Sequence, residues 1–396
     1  MAFHPSALTP IPENEAIILV SDYEVILNHK TKSSFSIWKC SHPDCIAYPY
    51  AKRALYCRIV QRPLWALIFI LGILNLLTMA SQYLGYVFRH DRALGIFPGE
   101  HSSRFSNWFT HGVTPVPCHS HNDYWRRVPL RSALRAGCTS IEVDVWPWGN
   151  DILVGHSRQT ALRGTLQSLY FDPLLKMLDT HNEPPSRHWP KVINQEMIGV
   201  FSNDPKQTLA LMIDFKTDGE ELWPLLVEQL SPFREKGYLT HSNGSDVVYG
   251  PITIVASGDA PFNLMLENSN YREIFYDAPL DNLTFPTEIA ADDSKPVDST
   301  YNPSNSYYAS ADFRTAIGSL SLGRLSDAQI ATIRSQVHAA HELGLKVRYW
   351  GTPTWPVGLR NHVWSVLVRE GVDVINTDDL RGATKQDWKS QNWWVW

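Results

Sequence analysis

Residues 116–156 read VPCHSHNDYWRRVPLRSALRAGCTSIEVDVWPWGNDILVGH, and the short apolar runs in this stretch end in groups able to hold a metal or move a proton. Val116-Pro117-Cys118 leads into His119 and His121. Ser140 to Trp146 alternates in and out, so Glu142 and Asp144 share one side of a strand. Ile152-Leu153-Val154-Gly155 then delivers His156. Unpaired acids are almost never buried, so two carboxylates on one strand face, bracketed by histidines, suit a metal-assisted acid/base site better than a core.

Outward from this stretch, strand-like runs alternate with helix-like segments from about 113 to the end of the chain. The strand candidates are 114–119, 140–146, 208–215, 251–257, 273–277, 306–310, 345–350 and 372–377. Helical stretches fall between them at Val128–Ala136, Leu166–Leu178, Glu220–Leu230, Asp327–Leu343 and Leu359–Glu370. Ser326 caps the fourth of these, and Gly344 marks its end. Eight such units over residues 113–396 predict a (β/α)8 TIM-type barrel. A doubly wound sheet alternates too, but no glycine fingerprint follows the first strand here. Proline-rich and polar stretches at 181–207 and 281–305 are expected as loops.

In a barrel of this kind, catalytic groups gather where strands end. Leu209 to Lys216 places Asp214 and Lys216 on one face at the end of the third strand. The seventh runs into Arg348-Tyr349-Trp350, and the eighth into Asn376-Thr377-Asp378-Asp379. Glu142, Asp144 and Asp214 offer three hard oxygen ligands, which suits Mg²⁺ or Ca²⁺ rather than zinc. Asn122, Arg348 and Trp350 are candidate substrate contacts.

The chain before the barrel is different in kind. Residues 1–62 lack a sustained period and are expected to be a flexible tail. Residues 63–88 include the uncharged run LWALIFILGILNLLTMASQYLGYVF, read as a single transmembrane helix, since a span needs ~20 apolar residues. Residues 89–112 form a linker. Lys52, Arg53, Arg58 and Arg62 precede the span, against Arg89, Arg92 and Arg104 after it, which favours a cytosolic N-terminus. The sequons Asn243-Gly244-Ser245 and Asn282-Leu283-Thr284 agree with a lumenal or extracellular catalytic domain.

A net charge of −5 with no basic cluster argues against a nucleic-acid partner. Among 15 tryptophans, Trp125, Trp146, Trp148, Trp350 and Trp355 adjoin the polar motifs, where they pack the core and rim or line a pocket or lipid interface. Five scattered cysteines make no disulfide framework. Cys40-Ser41-His42-Pro43-Asp44-Cys45 lacks the second ligand pair of a zinc site. Cys118 and Cys138 are expected as small buried fillers, with a bridge between them as the alternative.

The ordered set of His, Glu-x-Asp, Gly-His and Asp-x-Lys at successive strand ends resembles the phospholipase-C-like phosphodiesterase superfamily, which includes glycerophosphodiester phosphodiesterases and sphingomyelinase D. More narrowly, His119-Ser-His121-Asn-Asp-Tyr, Ser140-Ile-Glu-Val-Asp-Val-Trp, Val154-Gly-His156 and Ile375-Asn-Thr-Asp-Asp resemble the fungal "altered inheritance of mitochondria protein 6" family. The resemblance covers about 113–382. It implies that Glu142, Asp144 and Asp214 hold one divalent cation, that His156 and a histidine after the first strand form the acid/base pair, and that Lys216 binds a phosphate oxygen. His121 fits the spacing to Glu142, whereas Asn122 three residues downstream favours His119. The glycerophosphodiesterase His-Arg-Gly signature is absent, and Asp214 stands where those enzymes have Glu.

These parts suit cleavage of a phosphodiester. A divalent cation and Lys216 offset charge gathering at phosphorus, and imidazole, with an unperturbed pKa of ~6.5, suits both proton transfers. The expected activity is metal-dependent phosphoric diester hydrolysis on a phospholipid or lipid-derived glycerophosphodiester, or transfer to a neighbouring hydroxyl giving a cyclic phosphate. The alternative is a non-catalytic, membrane-anchored barrel that binds phosphate esters or lipids.

Overall fold

The computed structural model describes residues 62–80, residues 109–385 with breaks at 162–163, 183–196, 218, 284–299 and 321–322, Trp388, and three short strands near the N-terminus. The chain divides into two units, Met1–His90 and Asp91–Trp396. In the first, β1 (Glu15–Val20) and β2 (Tyr23–Asn28) pair antiparallel, and β3 (Ile37–Trp38) adds to β2. Ile17, Ile18, Val20, Val25 and Ile26 are β-branched residues that favour a pleated ribbon, a local signal inside the stretch expected to be a tail. Helix Arg62–Ala80 follows; 19 residues reach about 28 Å at ~1.5 Å per residue, close to the ~30 Å hydrocarbon core of a bilayer. The remainder of the expected span, residues 81–88, lies outside the described residues, as do the linker residues up to 108.

The second unit is a closed barrel of eight parallel strands. They are β4 (Val116–Ser120), β5 (Cys138–Trp148), β7 (Leu209–Phe215), β10 (Ile252–Gly258), β11 (Ile274–Pro279), β12 (Ser306–Asp312), β13 (Lys346–Trp350) and β14 (Val374–Thr377). Each pairs with the next, and β14 returns to β4. Every expected strand is present, within two residues of its expected bounds. Two additions lie outside the circle: β6 (Asp151–Val154) folds back antiparallel on the long β5, and β8 (His241–Ser242) pairs with β9 (Val247–Val248).

The strands' alternation divides the core into two layers. Ile141, Val143, Val145, Leu211, Ile213 and Ile254 pack outward against the surrounding helices. Ala210, Met212, Val255, Phe275, Tyr308 and Val374 form a separate inner cluster. Register across β5 and β7 pairs Ser140 with Ala210, Glu142 with Met212 and Asp144 with Asp214, so the acids climb the inner face in steps. The helix Asp327–Glu342 is closed by a full capping box between Ser326 and Gln329, and Gly344 takes φ +71° just beyond its end. The first helix begins at Arg131 rather than Val128, because Leu130 adopts φ 61° after Pro129 while its N–H bonds Asp123 Oδ2.

The expectation that Cys118 and Cys138 are separate fillers is corrected: they form a disulfide, with Cα atoms 4.7 Å apart. The cause is local. Between Val116 and His119, β4 takes three steps while β5 takes two from Cys138 to Ser140, a bulge at Pro117, which has no N–H to give. That bulge sets Cys118 beside Cys138. Replacing both with Ala opens a loop closed across 20 residues and is expected to lower stability by about 3 kcal/mol, read from urea unfolding of the solubilised chain. An unchanged midpoint would show that the bridge contributes nothing.

Candidate functional site

A polar network crosses the inside of the barrel at mid-height. His119 is fully buried on β4 and donates Nε2–H to Glu142 Oε2 at 2.8 Å, while its Nδ1 lies 2.6 Å from Ser140 Oγ. Arg348, inward-facing on β13, reaches over the interior to Glu142 Oε2 at 2.5 Å. It also donates to Asn376 Oδ1 and Ser310 Oγ, and lies 3.4 Å from Asp277 Oδ2. Burial, followed by the nearby Arg348 charge, pushes the His119 pKa down to about 4, so its contact with Glu142 is a hydrogen bond rather than an ion pair. Burial alone would raise the Glu142 carboxyl, but Arg348 and His119 outweigh it and hold Glu142 well below the usual carboxylate range. Asp277 has less help: burial outweighs Arg348 and lifts it to about 6.

A second layer sits one step nearer the mouth. Asp144 is fully buried, and its Oδ2 lies 2.7 Å from the Tyr124 hydroxyl, 3.1 Å from His156 Nδ1 and 3.4 Å from Lys216 Nζ. Asp214, its register partner, accepts from Lys216 Nζ at 2.5 Å. Burial and the adjacent acids raise the Asp214 pKa despite Lys216. Lys216 is itself raised, burial being outweighed by Asp214 and Asp144, and stays protonated. Across the mouth, His121 Nδ1 bonds Asp378 Oδ1 at 2.9 Å and its Nε2 lies 3.8 Å from Glu142 Oε1. Burial works against its protonated form, yet Asp378 and Glu142 prevail and raise its pKa.

Glu142, Asp144 and Asp214 can each present one oxygen within 4.8 Å of the others. In each, one oxygen is engaged: Glu142 Oε2 by His119 and Arg348, Asp144 Oδ2 by Tyr124, His156 and Lys216, and Asp214 Oδ2 by Lys216. The second oxygens of both aspartates are buried without a hydrogen-bond partner. A buried, unpartnered carboxylate oxygen is expensive, and a cation held by the three acids would satisfy both aspartates at once. Gly258 (φ +66°) leaves the room this requires, since a Cβ there would stand 2.0 Å from Asp214 Oδ1. The donor set therefore fits a metal ion.

The expected site residues take distinct positions. His121, His156 and Lys216 stand at the mouth with the three acids, whereas His119 lies beneath them. Asn122 is buried at φ 46°, with its Oδ1 2.7 Å from the Tyr124 hydroxyl. Arg348 is buried with its donors committed inside the barrel, and Trp350 is exposed at the end of β13. Three residues of this constellation were given no role from sequence: Tyr124 and Asp378, which stood in the quoted motifs, and Asp277, which did not. Each follows or ends a barrel strand, and position at a strand end was the available signal.

Comparison with known proteins places the chain in a family. The family model for the AIM6-like phosphodiesterase domain matches residues 107–277. "Altered inheritance of mitochondria protein 6 homolog" of Arthroderma benhamiae is 39% identical over 291 residues, covering 71% of this chain and 86% of the relative. "Altered inheritance of mitochondria protein 6" of Lachancea thermotolerans is 36% identical over 306 residues, covering 69% and 66%. The protein of that name from Saccharomyces cerevisiae is 34% identical over 288 residues, covering 68% and 70%. No solved structure matches the chain. With its barrel, its strand-end acids and these relatives, the chain belongs to the altered inheritance of mitochondria protein 6 family, whose domain is phosphodiesterase-like.

Proposed function

We propose that this chain is a metal-dependent phosphoric diester hydrolase acting on a phospholipid or lipid-derived glycerophosphodiester, tethered to a membrane by the helix within residues 63–88. The observation that carries the proposal is the trio of acids, each with one oxygen pinned and one left over, between two imidazoles. Glu142, Asp144 and Asp214 would hold Mg²⁺ or Ca²⁺, which when bound offsets phosphate charge. Lys216, kept protonated by two aspartates, supplies positive charge for a phosphate oxygen.

His121 and His156 divide the proton transfers. In both, Nδ1 is held by a carboxylate, Asp378 or Asp144, which leaves Nε2 as the nitrogen for proton transfer. Asp378 biases His121 towards its protonated form, which suits the donor to the leaving oxygen. His156, the more exposed, takes the proton from the attacking hydroxyl. His119 and Arg348 are positioning residues: neither reaches the cavity, and both fix Glu142. An oxidising, lumenal setting for the barrel is supported by the Cys118–Cys138 bridge and by the exposure of Asn243 and Asn282.

Replacing His121 or His156 with Ala is expected to lower kcat by ~10²–10⁴-fold on a glycerophosphodiester or lysophospholipid. Asp144→Asn, or a chelator, should abolish turnover while circular dichroism stays native. His119→Asn acts through Glu142, so its signature is ~10–100-fold more metal for half-maximal rate. Undiminished turnover in the two alanine variants, or indifference to chelator, would sink the proposal. A separate measurement addresses Asp277. Its folded pKa of about 6 lies above the usual 3.8, so its contribution to stability is complete below pH 3.8 and is lost as pH rises through 6. In metal-free protein, Asp277→Asn should therefore gain stability relative to the native chain between pH 4 and pH 7; a constant difference would refute the shift.

A further inference from the structure

Among the described residues of the barrel unit, four tryptophans are exposed: Trp125 (56%), Trp148 (59%), Trp350 (43%) and Trp355 (56%). All four lie at the C-terminal ends of the strands. Trp125 follows β4, Trp148 ends β5 at its hairpin with β6, Trp350 ends β13, and Trp355 stands in the turn after it. Trp125 also touches the His156 ring, with centroids 5.5 Å apart, which ties the rim to the carboxylate cavity. Exposed Val128 and Val357 belong to the same loops, as do exposed Arg127 and, after β6, Arg158. Among the described residues of the opposite face, the exposed apolar side chains include Met197, Val248 and Tyr249, and none is a tryptophan.

Single exposed apolar residues need no explanation, but four exposed indoles gathered, among the described residues, on one rim and interleaved with arginine do. Indole settles at the headgroup level of a bilayer, apolar body inward and N–H to water, and arginine draws anionic headgroups. We propose that the mouth of the barrel docks on a phospholipid bilayer through this tryptophan–arginine rim, so that a headgroup enters the cavity without its lipid leaving the membrane. The proposal rests on the reading of a lipid phosphodiester as substrate and adds the face that meets it. A protein seated on the rim would close the cavity, whereas headgroups can enter it.

The tether permits this orientation. The chain enters the barrel at the start of β4, on the face away from the mouth. A globular unit of this size is about 50 Å across, so the tether must reach roughly that far for the mouth to face the bilayer. The 28 residues 81–108 between the apolar helix and the barrel can reach up to ~100 Å when extended.

The test uses the full chain reconstituted in vesicles of phosphatidylcholine and phosphatidylserine, with Cys40, Cys45 and Cys57 replaced by Ser. An environment-sensitive fluorophore is placed at Trp355→Cys or, on the far face, at Tyr249→Cys. Docking predicts a blue shift and roughly twofold quenching by brominated lipid at 355, and neither at 249. An aqueous signal at 355, or equal quenching at both positions, overturns it. In a second arm, Trp148→Ser with Trp355→Ser should slow cleavage of vesicle-borne lipid about tenfold and leave a soluble glycerophosphodiester unaffected. Equal loss on both substrates also overturns the proposal. A wild-type chain that cleaves neither substrate defeats the enzyme reading alone, and the fluorophore still decides the docking.

Discussion

The Glu142–Arg348 pair inside the barrel is the contact on which the site depends. Two charges from the second and seventh strands meet at 2.5 Å in the interior. Removing either partner from such a buried pair typically costs ~3–5 kcal/mol, because the other remains as an uncompensated charge. The pair is therefore a constraint on the architecture: it requires both strands to turn the same face inward at the same height. It also fixes which oxygen of Glu142 is used up. With Oε2 taken by Arg348 and His119, Oε1 is left on the side of His121. Asp144 and Asp214 repeat the arrangement one layer higher, with Lys216 in the place of Arg348.

Much of this was legible in the sequence. Runs such as Leu209–Phe215 are apolar on both faces until a charged residue interrupts them, the mark of a strand buried from both sides that ends at a functional mouth. Glu142 and Asp144 followed from strand alternation alone. The choice between His119 and His121 did not. Two residues apart, they would face the same way if β4 continued, but the strand stops at Ser120 and Asn122 turns into the left-handed region. His121 thereby leaves the inner wall for the mouth while His119 stays beneath Glu142. Asp277 was hidden for a related reason: the register between β11 and β12 shifts between Tyr276 and Asp277, so simple alternation does not give its direction. The disulfide depended on a third such irregularity, at Pro117. Alternation placed what regular strands hold, and missed what bulges and strand ends redirect.

Charge balance explains why the proposed cation belongs to the design. Glu142, Asp144, Asp214 and Asp277 crowd one end of the barrel, opposed by Arg348 and Lys216. Burial first, and the neighbouring acids after it, push Asp277 and Asp214 towards their neutral forms. A phosphodiester brings another negative charge to the same place, and Lys216 is already shared between two aspartates. Without a further positive charge, substrate would have to enter against repulsion from the carboxylates that line its path. A divalent cation held by Glu142, Asp144 and Asp214 would supply the positive charge that these acids lack, with Lys216 beside it to meet the phosphate. The acids that by themselves would repel an anion are thus the ones that, holding a cation, would attract it.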